Sequence, residues 1–440
     1  MKQENIQITK DLIEFIEASP TAFHAVENAA ALLDKAGFTR LGECDEWKLV
    51  PGGKYYTTRN MSSMIAFMVP ENTDALSFMV MASHTDAPCY KLKTETETDA
   101  FGKYVKLNTE GYGGMIVSSW LDRPLSVAGR IIVSENGTFT AKTVKIDRDL
   151  VLIPNVAVHQ NRSINSGFTY NAAVDMMPLY SASDGKGSLK KIIAEAAGVE
   201  ESAIVSSDLY LYNRVPATIW GADNEFYSCP AIDNRQCAYG TLTGFIQAVS
   251  TGSLSAVPVY AAFDNEETGS STKQGAASPF LYDTLSRIAE TFGTDLRRAL
   301  SSSFMVSADN GHAKHPNHPE WSDAKNAPHM NEGVVIKSNA AQKYTTDALS
   351  AAIFTEICRR AGVPTQLFAN RSDMGGGSTL GSISNTKVSL NTVDIGMAQL
   401  AMHSAYETGG TADTAYLIQA SEAFYRAKIT CTADGVYRLD

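Results

Sequence analysis

Hydrophobic residues gather along this chain in short runs that end abruptly in polar residues. Four of them are Ser77-Phe-Met-Val-Met-Ala82, Val257 to Phe263, Phe304-Met-Val306 and Val393 to Ile395. Their length and sharp edges suit buried strands of a mostly parallel sheet. Between some of them lie stretches with helical spacing, at Arg235 to Val249, Leu281 to Phe292 and Thr346 to Ala361. That alternation predicts an α/β fold with helices on both faces of the sheet. Near the start, Leu12, Ile13, Phe15 and Ile16 share a helix face, Ser19-Pro20 interrupts it and Gly37 stops it.

The pattern changes at about Lys93. Short alternating segments such as Tyr104-Val-Lys-Leu107 and Arg130-Ile-Ile-Val133 are separated by turn residues at Gly111, Gly113-Gly114 and Asn136-Gly137. They predict antiparallel strands across 103–170, with a helix near 188–197. Parallel-type strands resume afterwards. Residues 93–227 are therefore expected to form a β-rich domain inserted into a discontinuous one made of 1–92 and 228–440.

Composition narrows the picture. The 440 residues are 44% hydrophobic and 19% charged, enough for two domains with large cores. A net charge of -11 without any basic run argues against nucleic acid as a partner. Mean hydropathy is -0.14 and no apolar run approaches the ~18 residues of a membrane span. Cys44, Cys89, Cys229, Cys237, Cys358 and Cys431 are scattered and form no CxxC pair, so reduced thiols are expected, not a disulfide framework or a thiolate zinc site. The opening Met1-Lys2-Gln3-Glu4-Asn5 has no basic stretch leading into an apolar one, and the expected location is cytoplasmic.

The strand ends carry the candidate chemistry. The first run stops at Ser83-His84-Thr85-Asp86, the second at Asp264-Asn265-Glu266-Glu267 and the third at Ser307-Ala308-Asp309. The fourth leads into Met402-His403-Ser404, and Asp233 stands just before a helix. Ligands of open α/β sheets collect outside the carboxyl ends of the strands. Taken singly, each histidine reads as an ordinary polar residue, Asp233 as a helix N-cap and the glutamate pair as a solvated face. Taken together, two histidines and several carboxylates on one sheet edge suit divalent zinc, and three carboxylates balance most of the charge of two such ions. Adjacent side chains on extended backbone face opposite ways, a rule that a strand-end turn relaxes, so the pattern leaves open which glutamate faces a metal.

The chain resembles the M18 family of metallo-aminopeptidases, the aspartyl aminopeptidase group. The matching segments, in order, are His84-Thr-Asp-Ala-Pro-Cys-Tyr-Lys-Leu-Lys93, Tyr112-Gly-Gly, Leu121-Asp-Arg-Pro-Leu-Ser-Val-Ala-Gly129 and Ile153-Pro-Asn-Val-Ala-Val-His159. They continue with Ile232-Asp-Asn234, Asp264-Asn-Glu-Glu-Thr-Gly269, Ser307-Ala-Asp-Asn-Gly-His-Ala-Lys-His-Pro-Asn317 and Gln399-Leu-Ala-Met-His-Ser404. The resemblance implies a zinc-peptidase domain that removes the N-terminal residue from short peptides, with Asp or Glu preferred. His84 and Asp309 would bind one zinc, Glu267 and His403 the other, with Asp233 bridging. Glu266 would be the general base acting on a water held between the two ions, and Asp86 would orient His84. Cobalt and manganese also suit this ligand set.

His159 would reach a neighbouring subunit's site, and Lys337, with Tyr344 close behind it, would meet an acidic substrate side chain. The inserted domain would build dimers that assemble into a dodecamer. Asp373-Met-Gly-Gly-Gly-Ser departs from the animal members, which carry a cysteine there, and this bears on specificity, not on hydrolysis. Gly375-Gly-Gly-Ser-Thr379 lacks the Gly-Lys-Ser/Thr ending of a phosphate loop. His312, His315 and His318 form a cluster that Pro316 and Pro319 keep from being a helix face. Two alternatives are a two-zinc deacylase or carboxypeptidase on a related fold, and a non-catalytic scaffold. The intact Glu266 argues against the scaffold.

Overall fold

The computed structural model describes residues 2–252 and 254–440. The first helical stretch folds as Gln3–Ala18 and Ala22–Lys35, split at Ser19-Pro20. Gly37 follows the second helix with a φ of 82°, a left-handed conformation that costs glycine little. All four apolar runs become strands: Phe78–His84, Val257–Phe263, Phe304–Ala308 and Asn391–Gly396.

These four lie side by side in the centre of a nine-stranded sheet. Its order is Thr39–Leu41, Lys54–Arg59, Ser63–Met68, Val257–Phe263, Phe78–His84, Phe304–Ala308, Asn391–Gly396, Val334–Lys337, Thr365–Phe368. The four central strands are mutually parallel, while Ser63–Met68 and Val334–Lys337 join them antiparallel.

Alternation within the strands supplies both faces of the sheet. Met79, Met81, Tyr260 and Ala262 share one core with Leu242 and Phe245 of helix Ile232–Ser250, and with Leu417 and Phe424 of helix Asp413–Arg426. Phe78, Val80, Val259 and Ala261 face the opposite core, with Leu281, Leu285 and Ile288 of helix Phe280–Thr291. Each Val, Leu, Ile, Phe or Met among them contributes about 1.5–3 kcal/mol on burial. The stiff two-sided sheet that results fixes where its strand ends point.

A six-stranded antiparallel sheet is built from the segment between Cys89 and Asn213. Its order is Thr138–Lys145, Leu125–Glu135, Ile204–Asn213, Cys89–Ala100, Tyr104–Tyr112, Leu179–Ala182. It has its own core, which includes Leu107, Val127, Ile131 and Leu211, covered by helix Leu189–Ala197. The expectation of strands up to residue 170 is not met. The run of strands ends at Lys145, and 154–178 is turns and irregular backbone. Val156, Val158 and Val174 are exposed there, with no facing strand to cover them. A third sheet of five strands includes Phe226–Cys229 and Glu407–Gly410, which pair with each other beside the central sheet.

Candidate metal centre

The carboxyl ends of the central strands bring the predicted residues together. His84 ends its strand, and Asp309 directly follows Phe304–Ala308. Asp233 enters from the start of helix Ile232–Ser250, where its own φ/ψ is non-helical and its peptide bond to Asn234 is cis. Asn234 Nδ2 ties that bend to the central sheet through the Ala308 carbonyl, at 2.8 Å. The N-cap alternative is not realised, because the Asp233 side chain accepts no backbone N–H and its Oδ1 is buried without a hydrogen bond.

Two triads share Asp233. His84 Nε2 lies 3.5 Å from Asp233 Oδ1 and 3.5 Å from Asp309 Oδ1. His403 Nε2 lies 3.3 Å from Asp233 Oδ2 and 3.3 Å from Glu267 Oε2. Good N–H···O hydrogen bonds fall near 2.7–3.2 Å, so these contacts are long for that purpose. They match another geometry: ligand atoms about 2.0–2.1 Å from a tetrahedral ion stand about 3.3–3.4 Å apart. His84, Asp233 and Glu267 also offer ligand atoms all within 4.8 Å of one another. Glu267 Oε1, like Asp233 Oδ1, is buried with no hydrogen bond. Orphaned buried carboxylate oxygens of this kind call for cations.

Electrostatics agree. Burial opposes charge on His84, yet Asp233, Asp309 and Asp86 outweigh it and hold its pKa well above the ordinary value. His403 behaves likewise, with Asp233 overriding burial. Burial would raise Asp233, but the two imidazoles hold it below the ordinary carboxylate range. The site thus draws positive charge onto the nitrogen lone pairs that would bind a metal, and metal binding would displace those protons.

Asn265 (φ 61°) opens the turn that carries both glutamates. Glu267 reaches His403, whereas the half-buried Glu266 carboxylate makes no hydrogen bond with any described residue. Burial pushes Glu266 up to about 8, with His84 pulling the other way. Asp86 lies beneath this turn. Its carboxylate accepts from the N–H groups of Glu266 and Glu267, each at 3.1 Å, and from the Tyr112 hydroxyl at 2.7 Å. Asp86 Oδ1 is also 3.3 Å from His84 Nδ1, which leaves Nε2 facing the cluster. These partners outweigh burial and keep Asp86 below the usual carboxylate value.

Sequence reasoning missed Glu407. It is 1% exposed, and its two oxygens accept the N–H groups of Asp233 (3.0 Å) and His403 (2.7 Å). One carboxylate therefore fixes the backbone of a residue from each triad. Only an unusual buried position within Tyr406-Glu-Thr408 could have signalled it, and burial is invisible in one sequence. Glu407→Gln would replace one acceptor oxygen by an amide that faces an N–H. Metal affinity should fall by roughly 10–100-fold, the usual cost of losing an outer partner. Unchanged affinity in a metal titration would assign Glu407 to packing alone.

Of the remaining predicted residues, Lys337 adjoins the centre with Tyr344 beside it, and His159 does not. Lys337 is buried in its strand, with Nζ 2.8 Å from the Asn310 carbonyl, 3.6 Å from Asp309 Oδ2 and over the Tyr344 ring at 5.4 Å. Burial lowers its pKa, but Asp309 and its other neighbours leave it above the ordinary value. His159 lies on an exposed turn in 154–178. His312 packs its ring edge on Phe368, while His318 stacks on Trp321 and hydrogen-bonds Glu320.

The family model for the aminopeptidase I zinc metalloprotease (M18) matches residues 15–425. The chain belongs to the M18 family of zinc metallopeptidases. It is 44% identical over 435 residues to a probable M18 family aminopeptidase 2 of Clostridium acetobutylicum, covering 97% of this chain and 100% of the relative. A probable aspartyl aminopeptidase of Ricinus communis is 36% identical, with 96% of each chain covered. The solved structure of the S. cerevesiae mApe1 dodecamer superposes with a TM-score of 0.84 at 28% identity, over 95% of this chain and 96% of that one. This M18 chain is accordingly a metal-dependent aminopeptidase, a hydrolase acting on peptides. Among its described residues no helix is long and apolar enough to cross a membrane.

Proposed function

We propose that the chain removes single residues from the free N-terminus of short peptides with two zinc ions per subunit, Asp or Glu leading at the position removed. The observation that carries the two-ion reading is the pair of triads meeting at the two oxygens of Asp233. His84 and Asp309 would hold one ion, His403 and Glu267 the other. Cobalt or manganese could substitute in the same ligand set. Zinc bound there supplies Lewis acidity at the scissile carbonyl and at water.

The protein's own groups do the rest. Glu266, whose carboxylate bonds no described residue, would accept the proton of the attacking water and deliver it to the departing amine. Asp86 would hold the His84 ring and, through two N–H groups, the turn that presents both glutamates. Lys337 would attract an acidic side chain, supported by the aspartyl aminopeptidase relative. The preference should be modest, since Asp309 already neutralises part of that charge.

For organisation we propose a catalytic domain of 1–92 and 228–440 with 93–227 as the oligomerisation domain. The exposed valines of 154–178 and the likeness to the mApe1 dodecamer support self-association, dimers building a dodecamer in which His159 enters a neighbour's site. Six free cysteines suit the reducing cytoplasm.

The test is a panel of short peptides differing only at the N-terminal residue, each with a free or acetylated terminus. Assays run before and after chelation and zinc return. Cleavage of free-amine peptides alone, lost with chelator and restored by zinc, is the expected result. Cleavage of acetylated peptides would shift the assignment to a deacylase.

A further inference from the structure

Behind the metal centre, between the central sheet and the six-stranded sheet, lies a cleft of about 410 Å³. None of the six residues assigned above as metal ligands or general base lines it. One part of its wall is apolar and aromatic, from Phe23, Pro88, Trp120, Tyr210, Leu211 and Val215. Into this wall is set Arg235, only 4% exposed. Its guanidinium makes no hydrogen bond or ion pair with any described residue, and its Nε is buried without a partner. A guanidinium keeps its charge at neutral pH.

An unpaired guanidinium is costly to bury, and its fork of five donors fits a carboxylate. Five carboxylates and two further cations, Lys145 and Arg214, also line the cleft, and each carboxylate is engaged elsewhere. Asp86 holds the turn at 266–267 and Tyr112, Glu407 holds the N–H groups of Asp233 and His403, and Asp264 accepts the N–H of Asn265. Glu17 accepts the N–H of Ala217, and Asp147 pairs with Arg214. Their proximity makes the cleft unfavourable for a multiply charged anion such as phosphate. A single carboxylate on an apolar body fits both the cation and the walls.

We propose that this cleft is a binding site for a small organic monocarboxylate, its carboxylate on Arg235 and its apolar or aromatic body against the Phe23–Trp120–Tyr210 wall. Occupancy would touch Asp86 and Glu407, the two carboxylates that position His84, Asp233 and His403, which gives such a ligand a route to affect turnover. The proposal does not depend on which peptides the enzyme cleaves.

The experiment is calorimetric titration of the zinc-loaded protein with benzoate, inorganic phosphate and benzylamine. It is repeated on Arg235→Leu and on Val215→Trp, which fills the cleft from a wall residue outside the metal centre. Benzoate should bind once per chain and outcompete both other probes. Both variants should weaken it by roughly 10–100-fold, the range for a charge-assisted hydrogen-bond pair. Should Arg235→Leu fail to fold, Val215→Trp decides. Binding that persists in the folded variants places benzoate on the metals and overturns the site. No benzoate binding below about 10 mM, or tighter binding of phosphate or benzylamine, overturns it equally.

Discussion

Replacing Glu266 with glutamine is expected to cut kcat by ~10²–10⁴, the usual range for loss of a general base, while metal content and assembly stay near wild type. The geometry explains why the two effects should separate. The Glu266 carboxylate holds no described residue in place: it accepts no hydrogen bond from any of them, and its link to Asp86 runs through the backbone N–H, which the substitution keeps. Glu267, one residue on, is the opposite case, with Oε2 3.3 Å from His403 Nε2 and Oε1 orphaned in the interior. Glu267→Gln should therefore lower metal content.

The pH profile adds a second readout. A general base works only when ionised, so activity must climb as pH rises through the pKa of Glu266. Burial raises that pKa and the positive charge on His84 lowers it, and bound cations act in the same sense as His84. The acid limb should vanish from the residual activity of the glutamine variant. Full activity in Glu266→Gln would sink the assignment, and metal loss in step with activity would move Glu266 into the ligand set.

Much of this could be read from the sequence because strand physics and site chemistry coincide. Runs such as Phe78–His84 are apolar on both faces since both are covered, and each stops where a ligand-bearing turn begins. Helix spacing was equally legible: the pattern at 281–292 folds as Phe280–Thr291. Half-exposed edges were harder to see. The edge strands Thr39–Leu41 and Thr365–Phe368 are short and carry mixed polar and apolar residues, so they leave little periodic signal. Supporting residues stayed hidden because their partners lie far along the chain. Glu407 acts on Asp233, 174 residues away, and Tyr112 reaches Asp86 from the antiparallel sheet. That sheet also grips the loop after His403, through Ile116 N–H on the His403 carbonyl and Asn213 on the Ala405 carbonyl. A segment that looked separable thus helps build the centre.

Asp233→Ala should remove both metals together and with them nearly all activity. Each triad spends a different oxygen of this one side chain, Oδ1 toward His84 and Oδ2 toward His403, so no substitution elsewhere removes a ligand from both. Loss of an outer hydrogen-bond partner typically costs about 10–100-fold in metal affinity. Losing a ligand and the charge between two cations should cost more, because the ions would then face each other unscreened across about 3.5–4 Å. His84→Ala is the control: it deprives one triad only, and His403, Glu267 and Asp233 remain for the other. Metal counting on purified protein separates the cases, with about two per chain expected in wild type, fewer in His84→Ala and essentially none in Asp233→Ala. Asp233→Ala retaining one tightly held ion would mean that the centres are independent, and Asp233 would then be a ligand of one site and a mere neighbour of the other.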